Sequence, residues 1–395
     1  MKKRILSALT ALLLVPTFST NAVELTMRSK ELLKQEKRPT RLSVYKGSCG
    51  EKVKWTLDPN TKSLIISGSG DMYDYFGCAQ TPWYNLKDYI STITIEKEVT
   101  SIGESAFQAC INLTKVFGCV GVATIGRFAF ADCHNLTSFV AKPRLSSVGE
   151  YAFLNCFNLK QLVLSDNVTT IGNNACDHCT NLEHVDLPSN LSKIDDRTFL
   201  ACKKLKTMTI GSGITSIGSA AFESCEALTA ITLPETVHTI SFRAFAHCES
   251  LQEIKLPSTL ETIGNCAFWC CRKLSSITLP EKLNTIGSSA FASCWNLASI
   301  IIPEKTTTIG SCAFESSGLT TATIKADLKY LGGSAFKNCR HLKNIYYHGT
   351  HSPTKSGRQI FENCSKLKWV TVPQNYKNYF FCWHPIKKGI LWGQI

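Results

Sequence analysis

"IGSAAFESCEALTAITLPETVHT", residues 217 to 239, is one period of a pattern that the chain repeats. The next residues begin it again: "ISFRAFAHC" from Ile240, "IGNCAFWCC" from Ile263 and "IGSSAFASC" from Ile286. Upstream stand "IGESAFQAC" from Ile102, "IGRFAFADC" from Ile125, "VGEYAFLNC" from Val148, "IGNNACDHC" from Ile171 and "IDDRTFLAC" from Ile194. The closing cysteines run from Cys110 through Cys133 and onward to Cys294 at a spacing of 23; Ser317 takes the next slot, and Cys339 and Cys364 follow at slightly altered spacing. A period held this strictly is the mark of a solenoid, in which each unit contacts only its neighbours.

Within a unit, Leu228, Ile231 and Leu233 are apolar and Pro234 ends the run. Successive strand side chains point to opposite faces, so Ile231 and Leu233 are expected in the core and Thr232 outside. Gly218 permits a tight bend, and Ala221, Phe222 and Cys225 then fall at helical spacing. One unit cannot cover its own apolar side. Stacking about twelve at about 4.8 Å per rung joins the cores into an arc of roughly 55 Å. The fold class expected is an α/β-type repeat: a right-handed leucine-rich repeat solenoid with short parallel strands on the concave face, preceded by a small β-rich N-terminal cap.

The consensus, Leu-x-x-Ile-x-Leu-Pro followed by Ile-Gly-x-x-Ala-Phe-x-x-Cys, resembles the BspA-like (Treponema-type) family of bacterial surface leucine-rich repeat proteins. So does the segment "CGEKVKWTLDPNTKSLIISGSGDM" from Cys49. The match covers about Ser43 to Val372. The resemblance implies a cell-surface or secreted protein that adheres to host or partner proteins and has no enzymatic activity. It supplies no ligand, no cofactor and no catalytic residues. Departures from the motif are Cys176 for the phenylalanine, Thr198 for the alanine, Asp195 and Ser241 for the glycine, and Ser317 for the ladder cysteine.

Five segments follow. Residues 1–22 read as a signal peptide: Lys2, Lys3 and Arg4, an apolar run from Ile5 to Val15, and Thr20-Asn21-Ala22 with small residues where a peptidase cuts. That run is shorter than the roughly 20 residues that span a bilayer, and no later stretch in the mature chain is long enough. Residues 23–42 are a basic linker, 43–90 a β-hairpin cap, 91–372 the solenoid and 373–395 a C-terminal cap or tail. The hairpin is read from Val53, Trp55 and Leu57, the turn at Asp58-Pro59-Asn60-Thr61, and Leu64 to Ile66. The tail brings Tyr376, Tyr379, Phe380, Phe381, Trp383 and Trp392, which either seal the last rung or bind a ligand. Removal of the signal peptide takes three positive charges from the net +13 and leaves +10, which favours acidic glycans, anionic cell surfaces or acidic proteins. In an exported chain it argues only weakly for nucleic acid, and none is expected as a partner.

Eleven of the 19 cysteines are ladder residues, expected to be reduced and buried as small hydrophobes. Of the rest, Cys49 and Cys78 flank the hairpin and are the disulfide candidates. Cys266 and Cys270, beside Trp269, are candidate exposed thiols on one face of a turn. "CDHC" at Cys176 to Cys179 has zinc-knuckle spacing, but no second pair completes a ligand set, so no metal site is assigned. There is no Gly-x-Ser-x-Gly elbow, no phosphate-binding loop and no His-Glu-x-x-His, and no catalysis is expected.

Function then falls to the exposed strand position, which varies from rung to rung. It reads Phe117, Val140, Val163, Asp186, Thr209, Thr232, Lys255, Thr278, Ile301, Thr323, Tyr346 and Thr371. Phe117, Val140 and Val163 make a contiguous apolar patch, with Asp186, Lys255, Ile301 and Tyr346 as further contact candidates. The expected function is binding of a protein or glycan on a host or neighbouring cell. Two alternatives stay open: a self-associating surface-layer component, and a thiol or metal protein built on the extra cysteines.

Overall fold

The computed structural model describes residues 42–389. The expected signal peptide, residues 23–41 of the linker and Trp392 lie outside the described residues. From Val44 onward the chain is one compact unit.

Three strands open it: β1 (Tyr45–Ser48), β2 (Val53–Asp58) and β3 (Ser63–Gly68). They pair antiparallel, with Trp55 opposite Ile66 and Leu57 opposite Leu64. The Asp58 carboxylate closes the β2–β3 turn by accepting the Asn60 backbone N–H at 2.9 Å. Strand alternation buries Val53, Trp55, Leu57, Leu64 and Ile66. β3 then pairs in parallel with Thr92–Ile95, and each later rung adds one strand as far as Thr207–Thr209. The hairpin is therefore the first part of the same nine-stranded sheet.

A second parallel ladder follows the turn isoleucines. Apart from the four-residue Val99–Ile102 it consists of two-residue strands such as Thr124–Ile125 and Thr170–Ile171. Its members form a five-stranded sheet and then an eight-stranded one beginning at Lys193–Ile194.

The Ala-Phe-x-x-Cys part forms no helix. Ala220 and Ser224 have left-handed φ angles of 53° and 60°, and the equivalent residues of other rungs do the same. The N–H groups of Ala220, Phe222 and Ser224 donate to the carbonyls of Phe242, Ala244 and Ala246 on the next rung. Those of Ala221, Glu223 and Cys225 close three-residue turns within their own rung. Stacking of identical units thus captures the N–H groups that a helix would have turned on itself. Apart from two short 3-10 segments in the cap, the described chain is sheet and turn.

The core is a column of rings and thiols. Phe199, Phe222, Phe245, Phe268, Phe291, Phe314 and Phe336 stack at centroid spacings of 5.2 to 5.6 Å. Each buried ring contributes on the order of 1.5–3 kcal/mol by leaving water. Beside it, ladder thiols donate to the phenylalanine carbonyl of the rung below, as Cys225 does to Phe199 at 3.3 Å and Cys248 to Phe222 at 3.2 Å, and Cys202 donates to the carbonyl of Cys176, which stands in the phenylalanine slot. A thiol suits this slot because it fills a small apolar volume and still satisfies a buried carbonyl. Aromatics close both ends. Trp83 stacks on Phe107 at 5.5 Å and donates its indole N–H to the Ala106 carbonyl at 3.0 Å. Phe381 packs against Tyr347 at 4.5 Å. Tyr376 and Phe381 are buried, whereas Tyr379, Phe380 and Trp383 stay exposed.

Candidate functional site

Strand register carries the exposed positions into one line. Across the sheet Ile65 faces Thr94, Thr94 faces Phe117, and Val140 faces Val163. Their inward neighbours Ile93, Phe139 and Leu162 are buried, so the outward row is obligatory. Phe117 is 49% exposed, Val140 45% and Val163 38%. The cap leaves this row open and lengthens it by Ile65, which is 39% exposed. Sequence reasoning missed Ile65 because it treated the hairpin as a lid; the outward position between Leu64 and Ile66 was the available signal. Alongside runs a polar row of Ser63, Thr92, Lys115, Ser138, Gln161 and His184. Asp186 ends the apolar strip. Its carboxylate is held below the usual range by the Thr209 hydroxyl and by His184, whose Nε2 lies 3.0 Å away.

The other candidates lie farther along. Lys255 and Ile301 are exposed and Tyr346 is half-buried. They do not join the apolar strip, because Thr209, Thr232 and Thr278 intervene on the same row.

The thiol expectations need correction at two points. Cys49 and Cys78 are both free. Cys49 lies wholly buried beside Tyr75, and its thiol is pushed up to about 12 by burial. Cys78, on a short 3-10 turn, is instead close enough to Cys110 to act on its titration. Cys270 is buried, not exposed, at 8% accessibility, and Cys266 is half-buried. Both take left-handed φ angles in the turn and bond to Ser293 and Ser289 of the next rung, which turns them into the stack. Cys176 and Cys179 are buried with their thiols in contact. Among the described residues no group of three or more His, Cys, Asp or Glu side chains is placed to hold a metal ion.

The arrangement, a stack of parallel rungs with one fixed inner face and one variable strand face, defines a leucine-rich repeat scaffold. The model of the BspA type leucine rich repeat region matches residues 82–206, 120–229, 215–343 and 261–385, and the chain belongs to that family. Among solved structures, the chain is similar to a leucine-rich repeat protein from Bacteroides ovatus at 19% identity, covering 89% of this chain and 100% of that one, with a TM-score of 0.52. It also matches a leucine-rich repeat protein from Eubacterium ventriosum at 22% identity (85% and 88% covered, TM-score 0.42). A leucine rich cell surface protein from Faecalibacterium prausnitzii matches at 22% (84% and 95%, TM-score 0.37). No curated protein matches. These likenesses concern the fold. No helix among the described residues is long and apolar enough to cross a membrane.

Proposed function

We propose that this BspA-type protein is exported to the cell surface or beyond, and that it binds a partner macromolecule through the long-strand face without catalysis. The observation that carries the reading is the in-register strip of Ile65, Thr94, Phe117, Val140 and Val163 with a polar row beside it. An apolar centre with a polar margin is the composition of a protein contact. Five strands at about 4.8 Å give the strip a length of roughly 19 Å, enough for several anchoring side chains. Lys2, Lys3 and Arg4 followed by the apolar run to Val15 support export. The test is capture from host extracellular matrix and serum by the wild type and by a Phe117→Asp, Val140→Asp, Val163→Asp variant. Loss of the captured protein from the folded variant is expected, and full retention sinks the reading.

A second reading, self-association, is favoured by one observation: Tyr379 and Trp383 are each 89% exposed on the last turn. Solution mass at two concentrations, for wild type and Trp383→Ala, decides it.

A further inference from the structure

The turn face carries a ladder of its own, formed by the residue after each ladder cysteine. His134 stacks on Phe157 with centroids 4.8 Å apart. Lys203 pairs with Glu226 at 2.9 Å, and Arg272 with Glu249 at 3.2 Å. The Arg272 guanidinium then lies over the Trp295 indole, 4.6 Å from a ring centroid. Each contact ties one rung to the next. At the following rung the ladder stops, because that rung is one residue short: Gly318 alone stands between Ser317 and Leu319, where the flanking rungs have Trp295-Asn296 and Arg340-His341. No side chain fits at Gly318, since a Cβ there would lie 1.8 Å from the Trp295 carbonyl oxygen.

The deletion leaves a notch of about 290 Å³ between Trp295 on one side and Arg340 and His341 two rungs on, with Ser316 and Ser317 beneath. Trp295 is 55% exposed. Arg340 and His341 are exposed, and among the described residues neither side chain has an ion-pair or hydrogen-bond partner. Two rung steps make about 10 Å, so one flat ring layer fits with van der Waals contact of about 3.5–4 Å on each side.

We propose that this notch binds one carboxylate-bearing pyranose ring of an acidic glycan, which takes the place of the missing rung of the ladder. Arg272 covers one face of the indole and leaves the other to receive the C–H face of a sugar. Arg340 offers a forked pair of N–H donors to a carboxylate, which a lysine could not match. Ser316 and His341 supply hydrogen bonds to ring hydroxyls. A plain aromatic group would fill the space but leave Arg340 unanswered, and the net charge, +13 less the three of Lys2, Lys3 and Arg4, still draws anions to it. The site is on the turn face and is independent of the strand-face reading.

The test is ligand-observed NMR on the full chain with three probes: sialyllactose, a glucuronate-containing hyaluronan tetrasaccharide, and lactose as the neutral control. Binding of at least one acidic probe is expected, with lactose unbound; the two acids distinguish sialate from uronate. Trp295→Ala and Arg340→Ala each weaken binding at least about tenfold; Arg340→Ala leaves the thermal unfolding unchanged, and Trp295→Ala lowers it only by the lost Arg272 contact. The strand-face triple variant binds the probe as the wild type does. Failure of both acids to bind, equal binding of lactose, or undiminished binding by Trp295→Ala and Arg340→Ala overturns the proposal.

Discussion

Asp195 and Ser241 both stand where other rungs carry the turn glycine, and only Asp195 breaks the ladder of short strands. A Cβ at this position is driven into the rung below: at Gly172 it would lie 2.6 Å from the Glu150 nitrogen. At Ser241 the rungs absorb it. The Ser241 N–H still reaches the Ile217 carbonyl at 3.1 Å, against 2.8 Å for Gly218 and Gly264. At Asp195 no equivalent bond to Ile171 forms among the described backbone bonds, and the sheet ends at Thr170–Ile171 and restarts at Lys193–Ile194. The difference lies beside them. Phe222 and Phe245 stack at 5.2 Å next to Ser241. Next to Asp195 the column lacks a ring, because Cys176 replaces it, and Thr198 brings a buried hydroxyl that bonds to the Asp195 carbonyl at 2.8 Å. Where the ring column is intact the short-strand bond survives an extra carbon; where a ring is missing that one bond is lost, while the N–H groups of Asn174 and Cys176 still reach the Asp196 and Thr198 carbonyls at 3.0 and 2.9 Å.

The thiol ladder crosses both places unbroken, as the turn-face backbone bonds do, with Cys202 on the Cys176 carbonyl at 3.3 Å and Cys248 on Phe222 at 3.2 Å. Its titration should therefore be felt throughout and gives the largest effect. Burial holds these thiols neutral along most of the ladder, pushing Cys110 up to about 12 and Cys133, Cys156, Cys202 and Cys225 well above their ordinary value, whereas contact with Cys364 lowers Cys339. As pH rises past the ordinary thiol value of about 9, the unfolded chain gives up protons that the folded chain keeps. Stability then falls by about 1.4 kcal/mol per pH unit for each such thiol. Urea midpoints at pH 7, 9 and 10 should drop steeply; flat midpoints would show that the thiols are not buried.

Next in size is the ring column itself. Phe245→Ala should cost about 3–5 kcal/mol, whereas Cys176→Ala, in a slot that already lacks a ring, should cost under about 1.5 kcal/mol. Equal losses in chemical denaturation would erase the contrast. Smaller still, Gly287→Asp beside intact rings should cost about 1–2 kcal/mol. Combined with Phe268→Cys it recreates the Cys176 and Asp195 surroundings, and the pair should couple unfavourably by about 0.5–3 kcal/mol. Simple additivity in that cycle would refute the role given to the ring column. The smallest effect is at the exposed strand face on the same stretch. Asp186 titrates low in the folded chain, so its contribution is present above the ordinary carboxylate value and fades as pH falls through the folded one. Asp186→Asn should shift stability by less than about 0.5 kcal/mol at pH 7, and NMR titration of the Asp186 side chain should show the low value directly.

Much of this architecture is legible in the residues. The 23-residue period identifies the core slots of Phe222, Cys225, Ile231 and Leu233, and strand alternation alone turns Phe117, Val140 and Val163 outward. The turn half is not legible, because Ala221, Phe222 and Cys225 have the spacing of a helix face whether or not a helix forms. What decides is that Ala220 and Ser224 adopt left-handed angles to bond the next rung, a cost no single unit reveals. The notch at Gly318 was equally hidden. A one-residue deletion reads as a slip in spacing until its neighbours are known to be Trp295 and Arg340.

The reach of the thiol ladder also sets a race in time. The ladder thiols from Cys133 to Cys364 each bond to a carbonyl about one repeat away along the chain, and closing loops of that order takes well under a microsecond, against seconds to hours for forming a disulfide. Under the proposed export, each contact that shelters a ladder thiol can form faster than an oxidant acts on any of the 19 cysteines. Cys78, Cys266, Cys312 and Cys382, which the finished stack leaves within partial reach of solvent, are the ones for which the race is not won by folding.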